Sequence, residues 1–220
     1  VPHLIVIGAG PGIAGATARR FGRDGYDVAL VARDADRLTE LGEGLQADGI
    51  TAGWAPADAG DAAALTRAIG LFTAHAGPAD VLLYNAVGRR QTTAADLTPE
   101  ELAADLAAGV IGLQTAVQAV LPGMRERGSG TVLVTGGGAA DDPRPAAPSL
   151  GVQKAALRAL VTVLAEALAP EGIHVATATV RGLVRDDGPI RPVEIAELYA
   201  ELVAETAGPR EQWRTVVDVT

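Results

Sequence analysis

The sequence predicts an α/β fold: a doubly wound, all-parallel sheet with helices on both faces, in one domain spanning residues 1–220. Three observations carry that reading. Short apolar runs alternate with amphipathic helical patterns along the whole chain, as in a sheet buried on both faces. The first apolar run leads straight into the glycine-rich stretch Gly8-Ala9-Gly10-Pro11-Gly12-Ile13-Ala14-Gly15. The 220 residues are 48% hydrophobic but only 3% aromatic, enough for one sizeable core built from Ala, Val, Leu and Ile.

Strands are expected at residues 4–7, 28–31, 81–84, 132–135 and 175–180, where aliphatic residues run together. A weaker one covers 50–55 and a last one 213–219. Between them, helical periodicity covers 13–23, 35–47, 61–75, 100–127, 149–169 and 193–207. The start at 100 is well marked. Thr98 is the N-cap, Pro99 takes the first helical position, and Glu100 and Glu101 sit against the positive end of the helix dipole. Gly172 closes the helix that ends near Pro170. No repeat or linker is visible. The irregular stretch 136–148 follows a central strand at its carboxyl end, where open α/β sheets bind ligands.

The glycines of 8–15 let the chain turn tightly and approach a ligand closely. The helix that follows offers unpaired N–H groups to a phosphate. With a strand before and a helix after, a dinucleotide is the expected occupant and a Rossmann-type fold the expected frame. A formal net charge of −9 disfavours nucleic acid and anionic membranes as partners. The absence of cysteine excludes disulfides and thiolate chemistry. No uninterrupted apolar run approaches the ~18 residues of a membrane span. Val1-Pro2-His3 enters the first strand at once, so no signal peptide is expected and the cytoplasm is the expected location. His3 and His75 read as peripheral and His174 as a surface residue. No acidic or histidine cluster has metal-ligand spacing, so no metal is expected. No nucleophile elbow is present.

The order of these motifs resembles the short-chain dehydrogenase/reductase family over nearly the whole chain. Gly8, Gly12 and Ile13 match its glycine pattern, with Ala14 in the third small position. Gly10 to Gly15 also fits the general dinucleotide pattern, so two registers are open, and Pro11 has no N–H to donate in either. Asp58 looks like the family residue that contacts adenine. Tyr84-Asn85-Ala86-Val87 looks like an altered copy of its Asn-Asn-Ala-Gly segment that keeps Asn85 and Ala86. Leu121-Pro122-Gly123-Met124 and the passage 165–175 also match. Lys154 matches the lysine that holds the nicotinamide ribose, and a solvent-exposed helix lysine is the alternative. NAD-binding members usually carry an acid where Ala32 stands. Here Arg33 follows instead, and a guanidinium suits a 2′-phosphate. The resemblance therefore implies NADP(H). Pairing of Arg33 with Asp34 or Asp36 is the competing reading.

The resemblance breaks at the catalytic positions. The family tyrosine, four residues before the lysine, is Leu150 here; its serine falls at Gly137 and its helix asparagine at Gly109. The Pro-Gly after the sixth strand is Arg181-Gly182. A leucine transfers no proton, and general acid catalysis is worth roughly 10²–10⁴ in rate. No catalytic residue is assigned, and Lys154 is expected to hold the ribose without giving up a proton. Asp141, Asp142, Ser149, Tyr84, Arg89, Arg90, Arg181 and Arg185 lie near the expected cleft, and for each a solvated or structural role is the expectation. The segment after the sixth strand is too short for a large lid. Two readings stand: a divergent NADP(H)-dependent reductase of an activated acceptor such as an iminium or conjugated enone, and a non-catalytic NADP-binding sensor or partner subunit. The only other partner implied is a second copy, since the long helices form the dimer and tetramer faces in proteins of this kind.

Overall fold

Seven short aliphatic runs pair side by side, all parallel, in the computed structural model, which describes residues 1–220. In chain order the elements are β1 (His3–Ile7), α1 (Ile13–Arg23), β2 (Asp27–Ala32), α2 (Ala35–Ala47), β3 (Ala52–Pro56), α3 (Ala62–Ala76), β4 (Val81–Tyr84) and α4 (Pro99–Leu106). A π-helical stretch, Ala107–Ile111, joins α4 to α5 (Gly112–Arg127). Then come β5 (Gly130–Gly137), α6 (Pro148–Leu168), β6 (Ile173–Val180), α7 (Pro192–Ala204) and β7 (Val216–Val219). The sheet order is β3-β2-β1-β4-β5-β6-β7, the doubly wound arrangement expected.

Side chains alternate across each strand, and this sorts the core into two layers. Ile5, Ile7, Leu82, Val132 and Val134 face α3, α5 and α6. Leu4, Val6, Leu83, Leu133 and Ala178 face α1, α2 and α7. Residues on both faces are fully buried, which is why the strand sequences read as continuous apolar runs.

Three expectations are corrected. The helix expected over 100–127 starts at Pro99, with the predicted Thr98 cap closed by Glu101 into a capping box, and it is broken by the π-helical stretch. That stretch is held from the sheet: the buried Tyr84 hydroxyl donates to the Ala108 carbonyl at 2.5 Å. His174 is buried and not at the surface, because its ring lies 3.0 Å from both the Leu202 and Arg214 carbonyl oxygens. His3 is likewise buried, with its ring against the Gly77 carbonyl, while His75 is exposed as expected.

The helical span Pro99–Arg127 is long and apolar enough to cross a membrane by length and composition alone, with a mean hydropathy of 1.4 in its most apolar window. Its apolar side is instead used in the core, where Leu113, Ala116, Val117 and Val120 pack beneath the sheet.

Strand register brings Ile7, Tyr84 and Val134 level at the carboxyl edge of β1, β4 and β5. β1 connects outward to β2 on one side and has β4 on the other, so the chain diverges at this edge and leaves a crevice.

Candidate active site

The crevice opens into two continuous hollows of about 1170 Å³ and 420 Å³ that share Gly10, Pro11, Asn85, Val87 and Arg89. Gly8 makes the floor possible. Its φ of +80° is disfavoured for other residues, and a Cβ there would collide with the Ala86 backbone. Asn85 locks the same junction: its backbone N–H donates to the Ile7 carbonyl at 2.8 Å and its side-chain amide to the Gly8 carbonyl at 3.0 Å. Gly10 and Gly12 have the opposite character, since a Cβ on either would meet nothing within 4 Å and would project into open groove. Gly12 caps α1, whose first N–H groups, at Ile13 and Ala14, have no intrahelical partner. This is the shape and polarity that a pyrophosphate requires.

At the smaller hollow, Arg33 follows β2 and is 67% exposed, 4.0 Å from the Asp58 carboxylate. The partner is therefore Asp58 rather than Asp34 or Asp36. At that distance and exposure the pair is worth little, so the guanidinium is available to a phosphate. Asp58 is otherwise held by its own turn, accepting the Gly60 N–H at 2.8 Å. The sequence reading missed Arg37, one helical turn after Arg33. It lines the same hollow, and Asp34 both caps α2 through the Arg37 N–H and pairs with its guanidinium at 3.4 Å.

At the larger hollow, Lys154 is buried and not solvent-exposed. Its Nζ donates to the Thr135 carbonyl at 2.7 Å. Burial, and then the charge of Arg89, lower its pKa to about 8. No carboxylate pairs with it. Lys154 is also the only lysine in the chain, every other basic residue being arginine or histidine. That count was available in the sequence.

The three positions at which the resemblance expects catalytic side chains differ in how they are filled. Leu150 lines the cleft one turn before Lys154. At Gly137 a Cβ would make ordinary contact, 3.5 Å from the Lys154 side chain, so the space for a small residue is intact. Gly109 has no such space: a Cβ there would collide with the Gln153 side-chain oxygen. Gln153, which the sequence reading also missed, is buried and pairs both ways with one residue of the β4–α4 loop. Its oxygen accepts the Gly88 N–H at 2.9 Å and its amide donates to the Gly88 carbonyl at 3.0 Å. Gly88 is closely packed as well, since a Cβ would lie 2.7 Å from Asp105. This clamp positions the loop that brings Arg89 and Arg90 into the cleft, with Arg90 paired to Glu101 at 2.9 Å and Asp105 at 3.3 Å.

The remaining nearby residues are structural. Asp141 accepts from Arg158 and Arg181, which hold its carboxyl below the usual range, so it is no substitute acid. Asp142 is exposed. Arg181 also pairs with Asp218 at 2.9 Å, and Tyr84 is spent on the π-helical stretch, with burial pushing its phenol up. Ser149 is buried against the Gln153 amide. Arg185 lines the cleft on the loop after β6.

Two outcomes follow from this packing. Gly109→Asn should destabilise the fold by about 1–3 kcal/mol through overpacking. Most of that cost should vanish in Gln153→Ala, so a double-mutant cycle read by urea unfolding should show a coupling of at least ~0.5 kcal/mol. Lys154 should also make stability depend on pH. Between its folded value of about 8 and the ordinary 10.5, the unfolded chain holds the extra proton, so stability rises with pH across that window. Lys154→Met should remove the rise and be more stable than wild type at neutral pH. Equal urea midpoints for the two proteins on both sides of the window would contradict this.

Residues 2–185 match the short chain dehydrogenase family. The 2,3-dihydro-2,3-dihydroxybenzoate dehydrogenase of Bacillus subtilis is 30% identical over 151 residues, 69% of this chain and 58% of that protein. The chain thus spans under two thirds of the length of that curated relative. Among solved structures, a doubly substituted mutant of a Serratia marcescens short-chain dehydrogenase/reductase is 26% identical with a TM-score of 0.86, covering 99% of this chain and 96% of that one. A metagenomic short-chain oxidoreductase in complex with NADP is also 26% identical, with a TM-score of 0.85 over 99% of this chain and 96% of its own. The match over most of the chain, joined to the glycine turn, the Asn85-Ala86 junction and the placement of Lys154, makes this chain a member of the short-chain dehydrogenase/reductase family.

Proposed function

We propose that the chain is an NADP(H)-dependent reductase of activated acceptors such as iminium ions or conjugated enones. One observation carries the reading: a groove that fits a nucleotide ends at a floor whose two hydroxyls, Thr135 and Ser149, are engaged by Tyr199 and Gln153, and whose one carboxyl, Asp186, is exposed. Gly8, Gly12, Ile13, Arg33, Asp58, Asn85, Ala86 and Lys154 are the residues that would hold the cofactor, with Arg37 added beside Arg33. The reduced nicotinamide supplies a hydride when bound. An electron-poor acceptor takes a hydride without prior protonation, whereas a simple ketone needs a hydroxyl to polarise its carbonyl from the place that Leu150 fills. Leu150, Val87 and Leu183 give that acceptor an apolar wall.

Charge supports the cofactor choice. The chain carries −9 overall, yet the shared groove presents Arg33, Arg37, Arg89, Arg185 and Lys154. A cationic cleft in an acidic protein concentrates a polyanion. The NADP complex of the metagenomic relative adds to the case. The non-catalytic reading is favoured by one feature, the filling of the asparagine space by Gln153. Exposed Ile111, Val152 and Val163 on the long helices support assembly as a homodimer or homotetramer, and the cytoplasm as location belongs to the same proposal.

NADPH should bind more tightly than NADH, and Arg33→Ala should erase ~1.5–3 kcal/mol of that preference, about 10–150-fold in Kd. Calorimetry with both nucleotides on both proteins measures it, and equal wild-type affinities would refute the assignment. In an NADPH assay, conjugated enones and iminium ions should turn over while secondary alcohols and simple ketones should not. Ketone turnover near the ~10 s⁻¹ usual for enzymes would be the wrong result for this reading. Tight NADPH binding with no turnover of either class would favour the non-catalytic reading.

A further inference from the structure

The cleft holds few protons that can be given away. Arginine keeps its proton at any working pH, which removes Arg89, Arg90 and Arg185. Asp186 is exposed on the loop after β6, at the rim. Ser149 is 2% exposed, its hydroxyl oxygen accepting from the Gln153 amide at 3.4 Å, and the Thr135 hydroxyl is paired with the Tyr199 hydroxyl at 2.9 Å. Leu150 has nothing to give. Lys154 remains: it lines the hollow, and its Nζ donates to the Thr135 carbonyl at 2.7 Å, which occupies one of its three N–H groups.

We propose that the Lys154 ammonium is the proton donor of the reaction, delivering its proton to the acceptor oxygen that reduction leaves negative. The inference rests on the reductase reading above and fills the gap that reading leaves. A bound dihydronicotinamide would supply a hydride, giving up a C–H bond as a C–H bond forms at the β-carbon of a conjugated enone and leaving an electron pair on the carbonyl oxygen. An N–H bond of Lys154 breaks and an O–H bond forms, giving an enol that becomes the saturated ketone in water. The neutral amine then takes a proton back from water through the open cleft.

The surroundings suit a donor. No acid pairs with the ammonium; the Thr135 carbonyl is its hydrogen-bond partner. Arg89 and Arg90 on the β4–α4 loop and Arg185 on the β6–α7 loop are the other cations of the same hollow; Asp186 is its one lining acid, and Arg90 is paired outside it with Glu101 and Asp105. Burial and repulsion make the proton easier to release than that of a surface lysine. Charge moves from a crowded cationic hollow to solvent as the step completes.

The single lysine allows a direct test. A ¹³Cε-lysine label reports one side chain, so its titration needs no assignment. Wild-type turnover of 2-cyclohexenone at saturating NADPH should fall with rising pH at the same midpoint as the NMR titration. Lys154→Arg is assayed at NADPH concentrations shown by nucleotide fluorescence to saturate it, so that lost affinity and lost chemistry are read apart. Its kcat should fall by roughly 10²–10⁴, the worth of a general acid. An NMR midpoint near the ordinary ~10.4 of lysine would overturn the proposal. So would a kinetic profile with no limb at the NMR midpoint, or Lys154→Arg turning over within threefold of wild type. Should Lys154→Arg lose NADPH, agreement of the two wild-type midpoints decides. Failure of the wild type to reduce any enone or iminium would sink the reductase reading and this one together, whereas undiminished turnover by Lys154→Arg sinks only this one.

Discussion

The contact between Gly8 and Ala86 is the constraint on which the cleft depends. It joins the two strands at the point where the chain diverges, and it is closer than any residue with a Cβ would allow. Because the backbones meet there, Asn85 reaches the Gly8 carbonyl and the glycine turn is held open above the sheet edge. The open turn aims the start of α1 into the groove, and the β4–α4 loop leaves from the same junction. One close approach therefore sets both the nucleotide groove and the loop that carries Arg89 and Arg90. A side chain at position 8 would separate the strands and disturb both at once.

What could be read from the sequence was what is local. Aliphatic runs and helical periodicity place nearly every element, because burial on both faces of a parallel sheet leaves a mark on consecutive residues. The glycine turn was readable because strand, turn and helix are contiguous. What escaped was decided across the fold. The π-helical stretch depends on a hydroxyl from β4, and the burial of His3 and His174 depends on carbonyl groups from distant loops and helices. Gln153 was silent for the same reason. Nothing near it in sequence says that its amide will bracket Gly88, or that this requires glycine at 109. The solitary lysine, by contrast, was in plain view and needed only to be counted.

Electrostatics separates scaffold from site. Across the outer surface arginines are matched by acids, as in Arg125 with Glu171, Arg191 with Glu194, and Arg158 and Arg181 around Asp141. Such exposed pairs contribute little each, and the acids left over give the surface its net negative charge. Within the cleft, Arg89, Arg185 and Lys154 have no salt-bridge partner, although acids outnumber bases in the chain, 27 to 18. Uncompensated cations beside one another weaken the free fold. They gain when a polyanion neutralises them, so their placement is a property of the liganded protein expressed in the free one.

Lys154 carries this furthest. A buried ammonium with one carbonyl as its partner is costly, and its neighbour Leu150 makes the site drier still. A fold selected for stability alone would place a methionine or leucine there, or lengthen the side chain to water. Helix α6 instead presents Leu150, Gln153 and Lys154 within little more than one turn, and each does a different job: an apolar wall, a loop clamp and a cation. The clamp fixes the β4–α4 loop, the wall keeps water away, and the amine lines the cleft between them with one carbonyl as its partner, so one turn of helix sets the shape, dryness and charge of the cleft together.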